Sequence, residues 1–140
     1  MDYRKLTSPC GLDCFNCIVY LAKDNPEIRK GFAQQLNVPE DQAYCKGCRG
    51  EGGCIRLFGA KEPCKVWKCV HEKGHEFCFE CDEFPCMHLS PMSDMADQRP
   101  HNMKVMNLCV MKREGVEAWA EKHSQAIRQH YFTHTFDVLD

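Results

Sequence analysis

Residues 68–86, KCVHEKGHEFCFECDEFPC, lay two metal patterns over each other. HEKGH spells H-E-x-x-H, in which two histidines on one helical face hold zinc and the glutamate polarises the zinc-bound water. CFECDEFPC spells a cysteine turn that would hold a metal through thiolates. The first pattern needs unbroken helix through His71 and His75. Gly74 stands directly before His75, and glycine costs about 1 kcal/mol inside a helix but is favoured just past its end. The expectation is a helix that stops at Gly74, imidazoles that do not converge, and a segment claimed by Cys69, Cys78, Cys81 and Cys86. A zinc-dependent hydrolase, with Glu72 as base, ranks third among the functional readings.

The stronger signal is the spacing of the cysteines. Cys14/Cys17, Cys45/Cys48 and Cys78/Cys81 are each C-x2-C, which lets one tight turn aim two sulfurs at one ion, and two such pairs complete a tetrahedral zinc site. Gly47, inside CKGC, suits backbone N–H groups that point at sulfur. Pairs from separate loops combine, so Cys14, Cys17, Cys45 and Cys48 are expected to hold one zinc. Cys69, Cys78, Cys81 and Cys86 are expected to hold a second, and Cys10 and Cys64 can replace a member of either set. CGLDCFNC also spells C-x3-C-x2-C, the spacing with which radical S-adenosylmethionine enzymes hold a 4Fe–4S cluster, but the chain shows no β-α alternation from which to build their barrel. No ferredoxin-type C-x2-C-x2-C-x3-C run is present, so zinc ranks ahead of an iron–sulfur cluster. Cys54 and Cys109 have the weakest case as ligands. Cys109 lies mid-helix and reads as a small buried hydrophobe.

Stepping outward, the elements that must carry these loops are helical. IVYLAK reads as helix. Asn25 is an N-cap, Pro26 the first helical position, and Ile28, Phe32 and Leu36 recur as one buried face, ended by NVPED. A short helix is expected to start at Pro63 and stop at Gly74. SPMSDMADQRP is a polar linker. Residues 101–114 read as a helix with Met103, Met106 and Val110 inward, Lys112 and Arg113 at its C-terminus and Gly115 as its cap. Val116, Trp119, Ala120, His123 and Ile127 form the stripe of one final helix, with Trp119 as core anchor. The tail YFTHTFDVLD alternates and is an edge strand, a dimer contact or a loose end. The fold class is thus mainly α with cysteine-rich, metal-stapled loops: a cysteine-rich core over 1–90, and a C-terminal helical hairpin over 91–140 packed on it.

Composition narrows the function classes. Twelve of 140 residues are cysteine, near the range of scaffolds that depend on staples. No run approaches 18 apolar residues, so no membrane span is expected, and MDYRKLTSPC has no apolar signal region. A cytoplasmic, reducing setting follows, in which these cysteines are metal thiolates rather than disulfides. Residues 46–75 carry seven Lys or Arg against three Glu, yet residues 76–97 carry six acidic groups and no Lys or Arg, so no clustered phosphate footprint forms and nucleic acid is not the expected partner. A protein partner, or a homodimer through the C-terminal region, is.

CGLDCFNC, CKGC, CKVWKC and EKGHEFCFECDEFPC, in that order and with the FPC ending, resemble the small cysteine-rich prokaryotic family DUF3795, a domain of unknown function, over about residues 8–88. KREGVEAWAEK resembles that family's later helix. The resemblance implies zinc binding at Cys10, Cys14, Cys17, Cys45, Cys48, Cys64, Cys69, Cys78, Cys81 and Cys86, and implies no reaction. Ten favoured cysteines make two four-cysteine sites with two left over. Metal analysis of protein made without added metal should therefore find about two zinc ions per chain; less than one tightly held ion of any kind would sink this reading.

Overall fold

The computed structural model describes residues 1–89 and 103–133, and among these the chain is mainly helical, with no strand and a single isolated bridge between Thr7 and Asp13. Six α-helices run in the order α1 (Ile18–Leu21), α2 (Pro26–Leu36), α3 (Lys65–Glu72), α4 (Met103–Glu114), α5 (Val116–Lys122) and α6 (Ser124–Thr133). Short 3-10 turns interrupt the cysteine loops, at Cys14–Asn16 and Cys78–Glu80 among others. No helix among the described residues is long and apolar enough to cross a membrane. The polar linker and most of the C-terminal tail, residues 90–102 and 134–140, lie outside the described residues.

Local chemistry starts and stops these helices. Asn25 caps α2 as expected, its Oδ1 accepting from the N–H groups of Glu27 (3.1 Å) and Ile28 (3.2 Å). The helix expected from Pro63 begins two residues later, because Cys64 takes the capping position and its sulfur accepts from the Trp67 N–H at 3.5 Å. Gly74 stops α3, with φ +69°. The Gly74 N–H reaches His71 O (3.1 Å) and the His75 N–H reaches Val70 O (2.9 Å), the paired bonds of a glycine C-terminal cap.

The core is drawn from both sides of residue 90. Phe15, Val66, Val70, Phe77, Cys10, Cys78 and Leu89 pack with Leu108, Val110, Met111, Val116, Trp119 and Ala120. Trp119 is fully buried and sits at its centre, edge-on to Phe15 at 5.8 Å. Three expectations change here. Ile28, Phe32 and Leu36 are only half-buried, because the short α1 and the Glu40–Gln42 turn give α2 too little to pack against. Met106 is exposed at 53 %, because the inward face of α4 runs through Met103, Asn107, Leu108, Val110 and Met111 instead. Cys109, three residues on from Met106, shares its outward side and is exposed rather than buried.

Asn107 goes inward because both ends of its amide find partners. Its Nδ2 donates to Gly11 O (2.8 Å) and its Oδ1 accepts from Trp119 Nε1 (3.1 Å), so a buried polar group ties the first cysteine loop to two helices. Gly11, at φ +90°, permits the close approach: a Cβ there would stand 2.9 Å from Lys104 O and from Leu108 Cγ.

The final stripe is also not one helix. It breaks at His123 (φ −125°), after which Ser124 begins α6, its hydroxyl donating back to Ala120 O at 2.7 Å. The break swings α6 over the first cysteine loop, and Tyr131–Thr133, read from sequence as the start of a strand or contact, complete that helix. Arg128 on α6 then reaches Asp13, whose side chain is 0 % exposed, through Nε at 2.9 and 3.0 Å and Nη2 at 2.7 Å. Asn16 Nδ2 donates to the same carboxylate (2.9 Å) and to Ser124 Oγ (3.1 Å). Arg128→Ala would leave a buried carboxylate without its cation and should cost about 3 kcal/mol or more, read as a lowered urea midpoint. Pairing it with Asp13→Asn should recover much of that loss.

Candidate metal centre

Three cysteine loops meet on one side of this core, and backbone contacts hold them there. The Cys78 N–H donates to Pro9 O at 3.0 Å, which joins the third loop to the first. Cys45 N–H donates to Val19 O (3.0 Å), and Cys64 N–H to Gly53 O (3.0 Å), which sets the second loop between α1 and α3. Arg49, immediately after Cys48, spans all three: its Nε donates to Thr7 O (2.7 Å) and its Nη2 to Glu76 O (2.9 Å). Its guanidinium lies 5.0 Å from the Phe77 ring centre, and that of Arg4, paired with Glu76, lies at 5.4 Å. Phe77 is itself fully buried and stacked on Phe79. Nothing in the spacing of the sequence marks Arg49 for this role, since its partners are carbonyls of distant segments.

All twelve cysteines are free thiols, and ten of them fall into two neighbourhoods. Cys69, Cys78, Cys81 and Cys86, the set expected from the third loop, line one cleft of about 770 Å³ together with Lys73, His75, Glu83 and His88. Lys73 Nζ donates to Cys81 Sγ at 3.3 Å and pairs with Glu83. The other neighbourhood centres on Cys14. Its sulfur accepts from the Cys48 N–H (3.5 Å), while Cys45 Sγ accepts from the Gly47 N–H (3.2 Å), as the glycine in CKGC suggests. Cys10 and Cys17 lie close enough to Cys14, and Cys10 and Cys64 close enough to Cys48, for their charges to be felt there. Cys10 is also felt at Cys78, so it stands between the two neighbourhoods, and its sulfur is 3.2 Å from Ser8 Oγ. Cys54 is engaged elsewhere, its thiol donating to Ala60 O at 3.5 Å.

The two histidines of HEKGH part at Gly74. His71 stacks on Trp67 at 4.1 Å, with Nδ1 2.8 Å from Trp67 O, while His75 turns toward Glu80, 3.9 Å away. The left-handed Gly74 between the two histidines thus removes the H-E-x-x-H face.

Among the described residues, no three Cys, His, Asp or Glu side chains are gathered tightly enough in this conformation to hold one ion. The donor chemistry nevertheless fits a thiophilic metal. Burial pushes the Cys14 thiol up to about 11 and the Cys45 and Cys78 thiols up to about 12, and it pushes Cys48 up as well. Neighbouring cysteines add to this at all four. Thiols so placed carry protons at neutral pH unless a cation takes the proton's place. The residues that could hold metal are therefore Cys69, Cys78, Cys81 and Cys86 on one side and Cys10, Cys14, Cys17, Cys45, Cys48 and Cys64 on the other, with their side chains closing on the ion from their present spread.

The profile of the family described as "Protein of unknown function (DUF3795)" matches residues 6–91. That span holds all ten favoured cysteines and stops before α4. No curated protein and no solved structure matches the chain significantly.

The raised thiols fix the sign of an alkaline effect in metal-free protein. A group whose proton is held more tightly when folded contributes stability below its unfolded value, here about 9, and that contribution is lost as pH rises through the folded value. Denaturant unfolding of the metal-free chain should therefore show stability falling between pH 9 and about 12, with metal-loaded protein protected over the same window. Equal alkaline slopes for the two forms would contradict it.

Proposed function

The chain belongs to the DUF3795 family, and we propose that its cysteine loops form thiolate metal centres whose first role is to staple the fold. Zinc is the metal the donor set suits best. The observation that carries the reading is the cleft that four cysteines from α3 and the third loop line together, with an ammonium already hydrogen-bonded to one of the sulfurs. Four thiolates on Zn²⁺ leave a net charge of −2, so a nearby cation is what such a site calls for. The surface around it then serves as an interaction or regulatory module in a soluble chain: Met87, at the cleft's rim, is 91 % exposed.

A second reading, an iron–sulfur cluster in either cysteine neighbourhood, has its own support. The cleft is wider than one ion needs, and backbone N–H groups already point at the sulfurs of Cys14 and Cys45, the kind of hydrogen bond that tunes such clusters. The two readings separate on purification, since an iron–sulfur protein absorbs visible light and a zinc protein does not. The zinc-hydrolase reading draws no support from His71 and His75, each of which faces a different partner.

Substitution distinguishes thiolates from imidazoles. Cys78→Ser should lose about one ion and destabilise the fold, and a chelator at neutral pH should sharply lower the melting temperature of the cysteine-rich region, because binding energies of ~10 kcal/mol or more are typical of structural zinc. His71→Ala and His75→Ala should leave metal content and melting temperature nearly unchanged, as substitutions without buried partners usually do. Zinc binding at pH 7 should also release protons, about four per four-thiol site, measurable by calorimetry in buffers of different ionisation enthalpy.

A further inference from the structure

Cys81 is the one cysteine sulfur among the described residues that accepts a hydrogen bond from a cationic side chain, the Lys73 ammonium at 3.3 Å. Lys73 is the last residue before Gly74, and the α3 cap fixes its backbone at the mouth of the cleft. Glu83, two residues beyond Cys81, holds the same ammonium from the other side, so it cannot swing freely into solvent. The four cysteines of this cleft are not equally reachable. Cys78 is buried, Cys69 and Cys81 are half-buried, and Cys86 is exposed. Two of the four are therefore shielded for separate reasons, Cys78 by packing and Cys81 by charge, while Cys86 has neither protection.

From this we infer that Lys73 is a guard for the third-loop centre: by donating to Cys81 it quenches that thiolate and leaves Cys86 as the ligand at which soft electrophiles open the site. The inference rests on the metal-centre reading above and names how that centre is chemically attacked. A metal-bound thiolate remains nucleophilic in proportion to the negative charge left on sulfur, and a charge-assisted hydrogen bond draws that charge off. With an alkyl iodide the step is a displacement. Cys86 sulfur donates its electron pair to the carbon, the S–C bond forms as the C–I bond breaks, iodide leaves with that bond's pair, and the resulting thioether carries no charge with which to hold the metal. The surface Lys68, on the same helix and paired with Glu62, makes no contact with a sulfur and serves as the control.

The test is limited alkylation of zinc-loaded full chain with iodoacetamide. Modified cysteines are mapped by mass spectrometry, and zinc release is followed with a colorimetric chelator. In the wild type, Cys86 should be modified first of Cys69, Cys78, Cys81 and Cys86, and zinc release should track it. Lys73→Met should raise the rate at Cys81 by about threefold, a modest factor because the ammonium is partly exposed and screened, and raising the salt to about 1 M should shrink the difference. Lys73→Arg should restore the wild-type order, and Lys68→Met should not disturb it. Zinc-loaded Lys73→Met with an unchanged rate at Cys81, or Lys73→Arg behaving like Lys73→Met, overturns the inference alone. A wild-type chain that holds no thiophilic metal removes the centre and the inference with it.

Discussion

The Asp13 carboxylate is the point on which the arrangement turns. It lies between Cys10 and Cys14, fully buried, in the first cysteine loop. An ionised carboxylate in that place is tolerable only if its charge and its lone pairs are met, and Arg128 and Asn16 meet them. To do so, α6 must cross the loop, which is why the C-terminal stripe breaks at His123 rather than continuing along α5. The same requirement explains why Asn107 displaces a methionine from the inward face of α4. The loop's buried carbonyl at Gly11 needs a donor, and Trp119 needs an acceptor for its ring N–H. The C-terminal helices therefore orient the first cysteine loop as much as they add core.

With the loop so fixed, the remaining problem is the thiols. Six of them crowd between α1, α3 and the first two loops, and in a dry setting each thiolate would raise the cost of the next. Burial keeps Cys14, Cys45 and Cys48 protonated, so without a cation this cluster is a set of neutral, weakly hydrogen-bonded groups. Arg49 acts on Cys48 in the favourable direction but does not offset its burial, and its guanidinium is held by the carbonyls of Thr7 and Glu76 and by the Phe77 ring. Its work is mechanical: it keeps three loops in register so that the sulfurs remain neighbours whatever they hold.

Much of this was legible in the sequence, for identifiable reasons. Asn25–Pro26, Gly74 and Gly115 are local signals, decided within a turn of chain, and each stands where the residue pattern puts it. The C-x2-C pairs are equally local, and Cys69, Cys78, Cys81 and Cys86 fall within 18 residues, so their sharing of one cleft needed no long-range information. What escaped was non-local. Met106 and Asn107 exchange places because of a carbonyl at Gly11, 96 residues distant. The burial of α2 failed because amphipathicity states which face would be covered but not whether anything is there to cover it. Arg49, Lys73 and Arg128 carried no signal beyond being basic, since a cation's partner is set by the fold and not by its neighbours in the chain. The mixing of Cys10 and Cys64 into the first cluster has the same origin.

The two neighbourhoods differ in a way that bears on what they are for. The Cys14 cluster is enclosed by the first two loops and locked by Arg128, Asn16 and Asn107, so its geometry is coupled to the stability of the whole chain. The Cys69–Cys86 set opens to solvent, is flanked by the paired charges of Lys73 and Glu83, and ends at the fully exposed side chain of Met87. A centre of the first kind could release Cys10 or Cys45 only by opening its surroundings, whereas one of the second kind could exchange the exposed Cys86 while the core stays closed. On the metal-centre reading proposed above, both sets would staple the fold, the first more firmly braced and the second nearer the surface. That asymmetry follows from what packs on each set: Arg128, Asn16 and Asn107 brace the loop of Cys14, while Cys86 stands exposed at the edge of the other.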